Sequence, residues 1–210
     1  MAQATNNTAN VSTTRGVKGG YFFCAVRNAT TIAALETITS KTGLAKITTA
    51  IPDAIPNMGY VSGDGFTEGV DRSSDTLSDI NGDTVDTYGS TTTETLGITL
   101  METRKEPLGL YYGSANVTDA NGLLDVNHNW SNSDEERIAI LDLVLKNGRR
   151  WRKVIPICKV TARGEFTGNS TTAAQRNLTL TYQTDSSGSG CHDWYESTET
   201  GTTTTTTTGN

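Results

Sequence analysis

The stretch from Arg137 to Val160 constrains the fold most, because it consists of two apolar arms around an Asn-Gly dipeptide. Asn147-Gly148 is the pair that best supplies the two positive φ angles of a type I′ turn, and both arms are rich in β-branched and apolar residues. A helix competes for the first arm, since the run from Ser133 to Glu136 resembles a capping box. The second arm contains Pro156, which would break a helix. The sequence therefore predicts a β-hairpin.

The composition indicates strands joined by turns, with polar segments at both ends. Of 210 residues only 34% are hydrophobic, and 21 are glycine. The start is rich in Asn, Thr and Ala, and the end is rich in Ser, Thr and Gly, which disfavours a packed core in either place. We therefore expect an extended N-terminal arm (residues 1–18), a folded domain (residues 19–184) and a flexible C-terminal tail (residues 185–210).

Several further runs have the pattern of strands, and one has that of a helix. Strands are expected at 21–26, 94–102 and 177–184, with a possible edge strand at 192–196. A capping box at 103–106 predicts a short helix that ends at Gly113. Residues 31–38 have a weaker tendency to form one or two helical turns, because threonine disfavours helix.

Charge is segregated along the chain. The net charge is −6 and the pI is near 4.9, which argues against a protein that grips nucleic acid through its phosphates. A long acidic loop is expected to carry Asp71, Asp75, Asp79, Asp83 and Asp86, whereas the hairpin carries a basic group that faces no acid in its own segment. Such asymmetry suits subunits that pair head to tail, basic face on acidic loop. The subunit-contact candidates are these five aspartates with Arg149, Arg150, Arg152 and Lys153.

The residues needed for catalysis or metal binding are sparse. His192-Asp193 lies beside Cys191, but in a Gly/Ser-rich segment that makes a rigid site improbable. The run from Asp79 to Asp83 lacks the oxygen series and the distal glutamate of a calcium loop. We therefore predict no enzymatic activity, no cofactor and no metal. Three widely spaced cysteines predict reduced thiols, and the sequence predicts neither a secretory signal nor a membrane span.

Four segments, in this order, resemble the major tail protein, or tail tube protein, of long-tailed bacteriophages. They are NMGYVSGDGFTEGV from Asn57, NGDTVDT from Asn81, ETLGITLMETRKEPLGLYYGSANVT from Glu94, and the hairpin that ends in KVIPICKVTARGEFT. The resemblance covers residues 59–184 and rests on the order and spacing of the segments. The polar insert at 27–50 and the Thr-rich tail do not match it.

The resemblance implies an antiparallel β-sandwich with one short flanking α-helix, whose hexameric rings stack into a hollow tube. It also implies that the acidic loop at 71–93 and the N-terminal arm bridge rings, and that DNA passes through the lumen without specific binding. Tape-measure, tail-tip and tail-terminator proteins would be its partners. The protein would be made in the host bacterial cytoplasm and end in the virion. The alternative from a different class is a phage or cell-surface β-sandwich that binds a receptor or glycan, with the Thr-rich tail as a stalk.

Overall fold

The computed structural model describes residues 16–166 and 173–197. Nine strands are found there, namely β1 (Val17–Val26), β2 (Val61–Ser78), β3 (Thr84–Leu100), β4 (Val117–Ala120), β5 (Leu123–Val126), β6 (Arg137–Leu145), β7 (Arg150–Arg163), β8 (Arg176–Tyr182) and β9 (His192–Tyr195). Three α-helices accompany them, namely α1 (Ala29–Thr39), α2 (Ala45–Thr48) and α3 (Lys105–Tyr112). The mainly β, antiparallel fold class expected from the sequence is confirmed.

Seven strands form one antiparallel sheet in the order β1-β6-β7-β8-β3-β2, with β9 paired to β7. The sheet curves around a core formed by the inward side chains of its strands, which include Phe22, Leu96, Ile98, Leu141 and Leu178. A second apolar cluster lies on the opposite face of β1, β6 and β7, where Leu35 and Ile38 of α1 pack against the sheet. Strand β6 and the second half of β1 are therefore covered on both faces, whereas β8 and the second half of β3 are covered on one.

The predicted hairpin is present as β6 and β7, but its turn differs from the prediction. Leu145 and Arg149 are joined by a backbone hydrogen bond, so the loop has three residues, Lys146 to Gly148. Within the described residues only Asn121 has a positive φ without being glycine, so Asn147 does not adopt the type I′ conformation, while Gly148 has φ 81°. Three-residue loops place the single left-handed residue last, which explains why Gly148 alone carries the positive φ.

The acidic segment is a strand pair and not the predicted irregular loop. The backbone of β2 pairs with β3 from Val61↔Leu100 to Ser78↔Thr84, with irregularities along the way. Threonine and serine alternate with the aspartates here, and β-branched residues favour the extended backbone. The four-residue spacing of the aspartates argued correctly against a helix, on which like charges would repel, but it could not distinguish a loop from a hairpin.

Two helices are better defined than the sequence suggested. Helix α1 contains the predicted turns at 31–38 and is held by a capping box in which Asn28 and Thr31 exchange side-chain to backbone hydrogen bonds. Helix α3 is present as predicted, but its N-cap is Arg104 and it has no side-chain cap, so the predicted capping box is wrong. The Glu106 side chain lies 3.9 Å from Arg104 instead.

The body extends beyond the predicted domain on both sides. Strand β1 begins at Val17, and the possible edge strand at 192–196 is confirmed as β9. The N-terminal arm up to residue 15 and the Thr-rich tail from residue 198 lie outside the described residues.

Candidate assembly surface

A two-stranded ribbon projects from the sheet. The side chains of β2 from Thr67 to Ser78 and those of β3 from Thr84 to Thr93 are exposed. Glu68, at the root of this ribbon, contacts Lys153 and Tyr182 of the sheet. An isolated two-stranded hairpin is marginally stable in water, so a ribbon of this length is a surface that gains stability from a partner. It carries all five aspartates predicted as subunit contacts.

The tip of the ribbon is held in a defined turn. The carboxylate of Asp79 accepts hydrogen bonds from the backbone N–H groups of Asn81 and Asp83, at 2.9 and 2.8 Å. The backbone N–H of Asp79 donates to Asp83, and that of Gly82 donates to Asp79. The hydrogen bond from Asp83 and the bonds from Asn81 lower the pKa of the Asp79 carboxyl. Asp79 therefore acts as the acceptor that closes the turn, and Ile80 within this turn is fully exposed.

The root of the ribbon is tied to the centre of the sheet by a buried lysine. The ammonium of Lys153 lies 2.7 Å from Glu68 of β2 and 2.6 Å from Asp193 of β9. Burial alone would lower the pKa of Lys153, but the hydrogen bonds to Asp193 and Glu68 outweigh it and raise that pKa. The same lysine donates to the sulfur of Cys191, whose thiol pKa burial raises to about 11. Lys153 thus joins three strands.

Two of the predicted basic contact residues are internal. Arg152 is 1% exposed and Lys153 is 3% exposed, so neither can reach a neighbouring subunit. Arg152 makes two hydrogen bonds to Asp142, at 3.3 and 2.8 Å, and donates to the carbonyl oxygens of Lys46 and Thr49. These two basic residues therefore have acidic partners from other segments of the chain. Antiparallel pairing with β6 brings Asp142 opposite Arg152, and Glu68 and Asp193 contact Lys153.

Arg149 and Arg150 lie at the outer end of the same hairpin. Arg150 is exposed, and Arg149 is half-buried beside the backbone of Glu196 and Ser197. The turn next to them also presents Lys146, whose backbone N–H donates to Gly16 at the start of β1. The basic group that reaches the surface is therefore smaller than predicted and lies beside the N-terminal end of β1.

An open groove of about 890 Å³ separates the two edges of the curved sheet. One wall is the N-terminal half of β1, the other is the start of β2, and the floor is formed by core side chains such as Ile98, Leu141 and Leu143. Its rim contains the exposed apolar side chains of Tyr21 and Tyr60. Strands β1 and β2 are the two edge strands of the sheet. The outer edge of β1 bonds to the 56–58 segment at Phe22 and Cys24, so the part of β1 that lines the groove as an open strand edge is its first half.

The uncovered face of β3 and β8 is dominated by threonine. The pairs Thr95↔Thr181 and Gly97↔Thr179 lie on the side opposite to the core residues Leu96 and Leu178. Hydroxyl and amide groups bond across this face, as between Thr161 and Thr181 at 2.7 Å. We call this surface the threonine face; its members are Thr93, Thr95, Thr99, Thr161, Thr179 and Thr181.

The residues weighed as a catalytic group have structural partners. Asp193 accepts hydrogen bonds from the indole of Trp151 and from Lys153, and the His192 ring lies 3.4 Å from Asp185. The bonds of Asp193 join β9 to β7, and the His192 contact joins β9 to the loop that precedes it. Within residues 16–166 and 173–197 no group of three or more metal-ligating side chains is found, and no helix there is long and apolar enough to cross a membrane.

Sequence reasoning missed the groove and the apolar tip. The groove depends on which strands end up at the two sheet edges, and no local pattern reports that. The tip had a signal, since Leu77, Ile80 and Val85 are apolar residues in an acidic segment that has no core of its own. No sequence signal indicated the ion pairs of Lys153, because its partners Glu68 and Asp193 are 85 residues before it and 40 residues after it in the chain.

Comparison with known proteins identifies one family. A family model described as "Phage tail tube protein" matches residues 7–206. Among solved structures, the baseplate of the anti-feeding prophage is similar at 11% identity and a TM-score of 0.43, with 92% of this chain and 97% of that chain covered. The tube-terminating cap of the same prophage is similar at 11% identity and a TM-score of 0.38, with 93% and 95% covered. A comparison with curated protein sequences finds no match.

Proposed function

The chain belongs to the phage tail tube protein family, and on this premise we propose that its subunits form hexameric rings that stack into the hollow tube of the tail. Family membership makes the protein a structural component of the phage tail. The observation that carries the proposal of stacked rings is the shape of the subunit, a curved sheet with β1 and β2 as its two edge strands and a long ribbon projecting from the β2 edge. Unlike surfaces at opposite ends of a subunit generate head-to-tail contacts, which close into rings or extend into fibres.

The ribbon and the surface basic group are the proposed contacts between subunits. The aspartates at 71, 75, 79, 83 and 86 give the ribbon a negative charge, while Lys146, Arg149 and Arg150 give the end of the β6–β7 hairpin a positive one. Opposite charges orient such an encounter and set its register more than they add affinity. Arg152 and Lys153 have no part in it.

The threonine face is the proposed lining of the lumen, through which DNA passes without being bound specifically. Hydroxyl groups present no positive charge to phosphates, and the net charge of −6 repels DNA. The double variant Thr93→Lys and Thr179→Lys would place cations on this face. Tubes of that variant should retain added DNA at low salt, and tubes that retain no more DNA than the unmodified protein would argue against this lining.

The proposal also covers where the protein is made and which tail proteins contact it. The protein is made in the host bacterial cytoplasm and becomes part of the virion, where tape-measure, tail-tip and tail-terminator proteins contact the tube. Co-purification of the tagged protein with those tail components from infected cells would support these contacts. Purified virions that lack the protein would refute its place in the virion and these contacts with it.

Negative-stain electron microscopy of the concentrated protein, at low and elevated salt, tests self-assembly. Rings with six subunits and striated hollow tubes are expected. Small particles at every concentration would instead favour the alternative, a β-sandwich that binds a receptor or glycan.

The double variant Arg149→Glu and Arg150→Glu tests the charged contact. It should fold with the circular dichroism spectrum of the unmodified protein and fail to form tubes. Normal tubes from this variant would remove the basic group from the interface.

A further inference from the structure

Lys153 and Asp193 are held closely enough to react with each other. They lie directly opposite one another on the paired strands β7 and β9. The Nζ atom of Lys153 is 2.6 Å from Oδ2 of Asp193, so the carboxyl carbon lies one further bond away. Reacting atoms about 3–3.5 Å apart are in a near-attack geometry. The two strands therefore place an amine nitrogen against an acyl carbon within one folded chain.

The two oxygens of the Asp193 carboxylate have different surroundings. The indole N–H of Trp151 donates to Oδ1 at 2.6 Å, whereas Oδ2 faces the lysine. When a nitrogen attacks a carboxyl carbon, negative charge develops on one oxygen, and a fixed N–H donor stabilises it. Trp151 is placed to stabilise charge on Oδ1, which leaves Oδ2 as the oxygen that can depart.

A second carboxylate stands beside the lysine nitrogen. Glu68 lies 2.7 Å from Nζ of Lys153, and the phenol of Tyr182 donates to the same Glu68 oxygen at 3.1 Å. A nucleophile with a base in contact, itself oriented by a third group, is the arrangement that activates nucleophiles in proteins. Glu68 can therefore carry a proton away from Lys153, and Tyr182 positions it.

Burial favours loss of the two charges. The Lys153 side chain is 4% exposed, and keeping an ion pair away from water has a desolvation cost that a neutral amide avoids. Burial on its own would lower the pKa of Lys153, but its hydrogen bonds to Asp193 and Glu68 raise that pKa. The free amine therefore arises by proton transfer within the cluster. An open pocket of about 600 Å³ borders these side chains and gives a released water molecule an exit.

We propose that Lys153 and Asp193 form an amide bond between their side chains in the folded subunit, with Glu68 as the proton carrier. Glu68 takes one proton from the ammonium, and the nitrogen lone pair attacks the carboxyl carbon. That proton and a second one from the nitrogen pass to Oδ2, and the bond between the carboxyl carbon and Oδ2 breaks. One ammonium and one carboxylate thus become one amide and one water. The bond would fix β9 covalently to β7, and it does not depend on tube assembly.

Mass spectrometry of the unmodified protein, incubated for several days at neutral pH, tests the bond directly. The intact mass should fall by the mass of one water, and a protease digest should contain a branched peptide that joins Lys153 to Asp193. The pair of Lys159 with Asp134 is the internal control, since it is longer (3.4 Å) and more exposed, and it should stay unlinked. A full mass after incubation would overturn the proposal, and a branch from Lys153 to Glu68 would overturn the assignment to Asp193.

The variant Glu68→Gln tests the proton carrier. It should form the bond at least about a hundredfold more slowly, because a side-chain amide is a very weak base. The matched control is Glu94→Gln, which changes another carboxylate of the same pocket and should leave the rate unchanged. Circular dichroism checks that both variants fold. Equal rates in Glu68→Gln and the unmodified protein would remove Glu68 from the reaction.

The variant Lys153→Met identifies the source of the lost water. It should keep its full mass under the same incubation. Loss of water from this variant would place the reaction elsewhere, for example in a cyclic imide at Asp64-Gly65, and would overturn the proposal.

Discussion

The ammonium of Lys153 lies 2.7 Å from the carboxylate of Glu68, and this contact joins the middle of β7 to the root of the projecting ribbon. The phenol of Tyr182 on β8 donates to the same carboxylate at 3.1 Å. The ribbon is exposed from Thr67 onward, so its direction relative to the body depends on the groups that hold its first residues. A buried charge cluster thus sets where the assembly surface points.

Replacing Lys153 by methionine should destabilise the subunit by about 2 kcal/mol, because the carboxylates of Glu68 and Asp193 lose their partner. The value lies below that of a fully buried pair, since these two side chains are 35% and 32% exposed. Urea unfolding followed by circular dichroism measures it. The control is Lys159→Met, which removes a more exposed pair with Asp134 and should cost about 0–1 kcal/mol. Equal losses of unfolding free energy in both variants would mean that the Lys153 cluster stabilises the protein no more than the exposed Lys159–Asp134 pair does.

Charge reversal at Arg152 should destabilise the protein much more than charge reversal at its neighbour Arg150. Arg152→Glu leaves the Asp142 carboxylate beside a second negative charge and removes the donors to two carbonyl oxygens of the α2 segment, so a loss of about 3–5 kcal/mol is expected. Arg150→Glu changes an exposed side chain and should leave the free energy of unfolding within about 0.5 kcal/mol. Urea titration of the two variants decides the matter, and a stable Arg152→Glu protein would contradict the internal role of Arg152.

The contrast between these two arginines shows how far the sequence could lead. Periodicity and the Asn-Gly dipeptide placed the hairpin correctly, since both depend on neighbours in the chain. The burial of Arg152 depends on the register of β7 against β6 and on its contact with α2, and neither is a local property of the sequence. An extra residue in β7 between Ile155 and Cys158, which pair with Ala139 and Arg137, also shifts which side chains of β7 face inward.

The acidic ribbon shows the same limit in another way. Counting like charges at helical spacing excluded a helix, but the choice between loop and hairpin depends on the backbone partner. That partner is β3, reached through a turn whose Asp79 and Gly82 are ordinary turn residues. The resemblance to tail tube proteins predicted the family, whereas it did not predict the groove or the buried lysine.

Gly59 should not tolerate a side chain. Its φ is 82°, and a β-carbon there would lie 2.2 Å from the carboxyl carbon of Glu102, which accepts the N–H of Tyr60. Gly59→Ala is expected to cost about 1–3 kcal/mol from backbone conformation alone, with the displacement of Glu102 in addition. The matched control is Gly43→Ala, where φ is 56° but the space is open. Thermal unfolding should show a larger loss for Gly59→Ala, and equal losses would mean that Glu102 moves freely.

Acid should lower the stability that Asp185 gives to the segment before β9. Hydrogen bonds from the Ser187 hydroxyl and from the backbone N–H of Ser189 lower the pKa of the Asp185 carboxyl to about 2. An unfolded aspartate has a pKa of about 3.9, so this contribution to stability is complete above about pH 4 and is lost as the pH falls toward 2. Asp185→Asn should therefore be less stable than the unmodified protein at pH 6, and the difference should narrow as the pH falls from about 4 to about 2. Ser187→Ala, which removes only the hydroxyl donor, should show a smaller gap with the same pH trend. Denaturant titrations at a series of pH values measure both, and a gap that stays constant down to the lowest pH would show that Asp185 is not stabilised by these bonds.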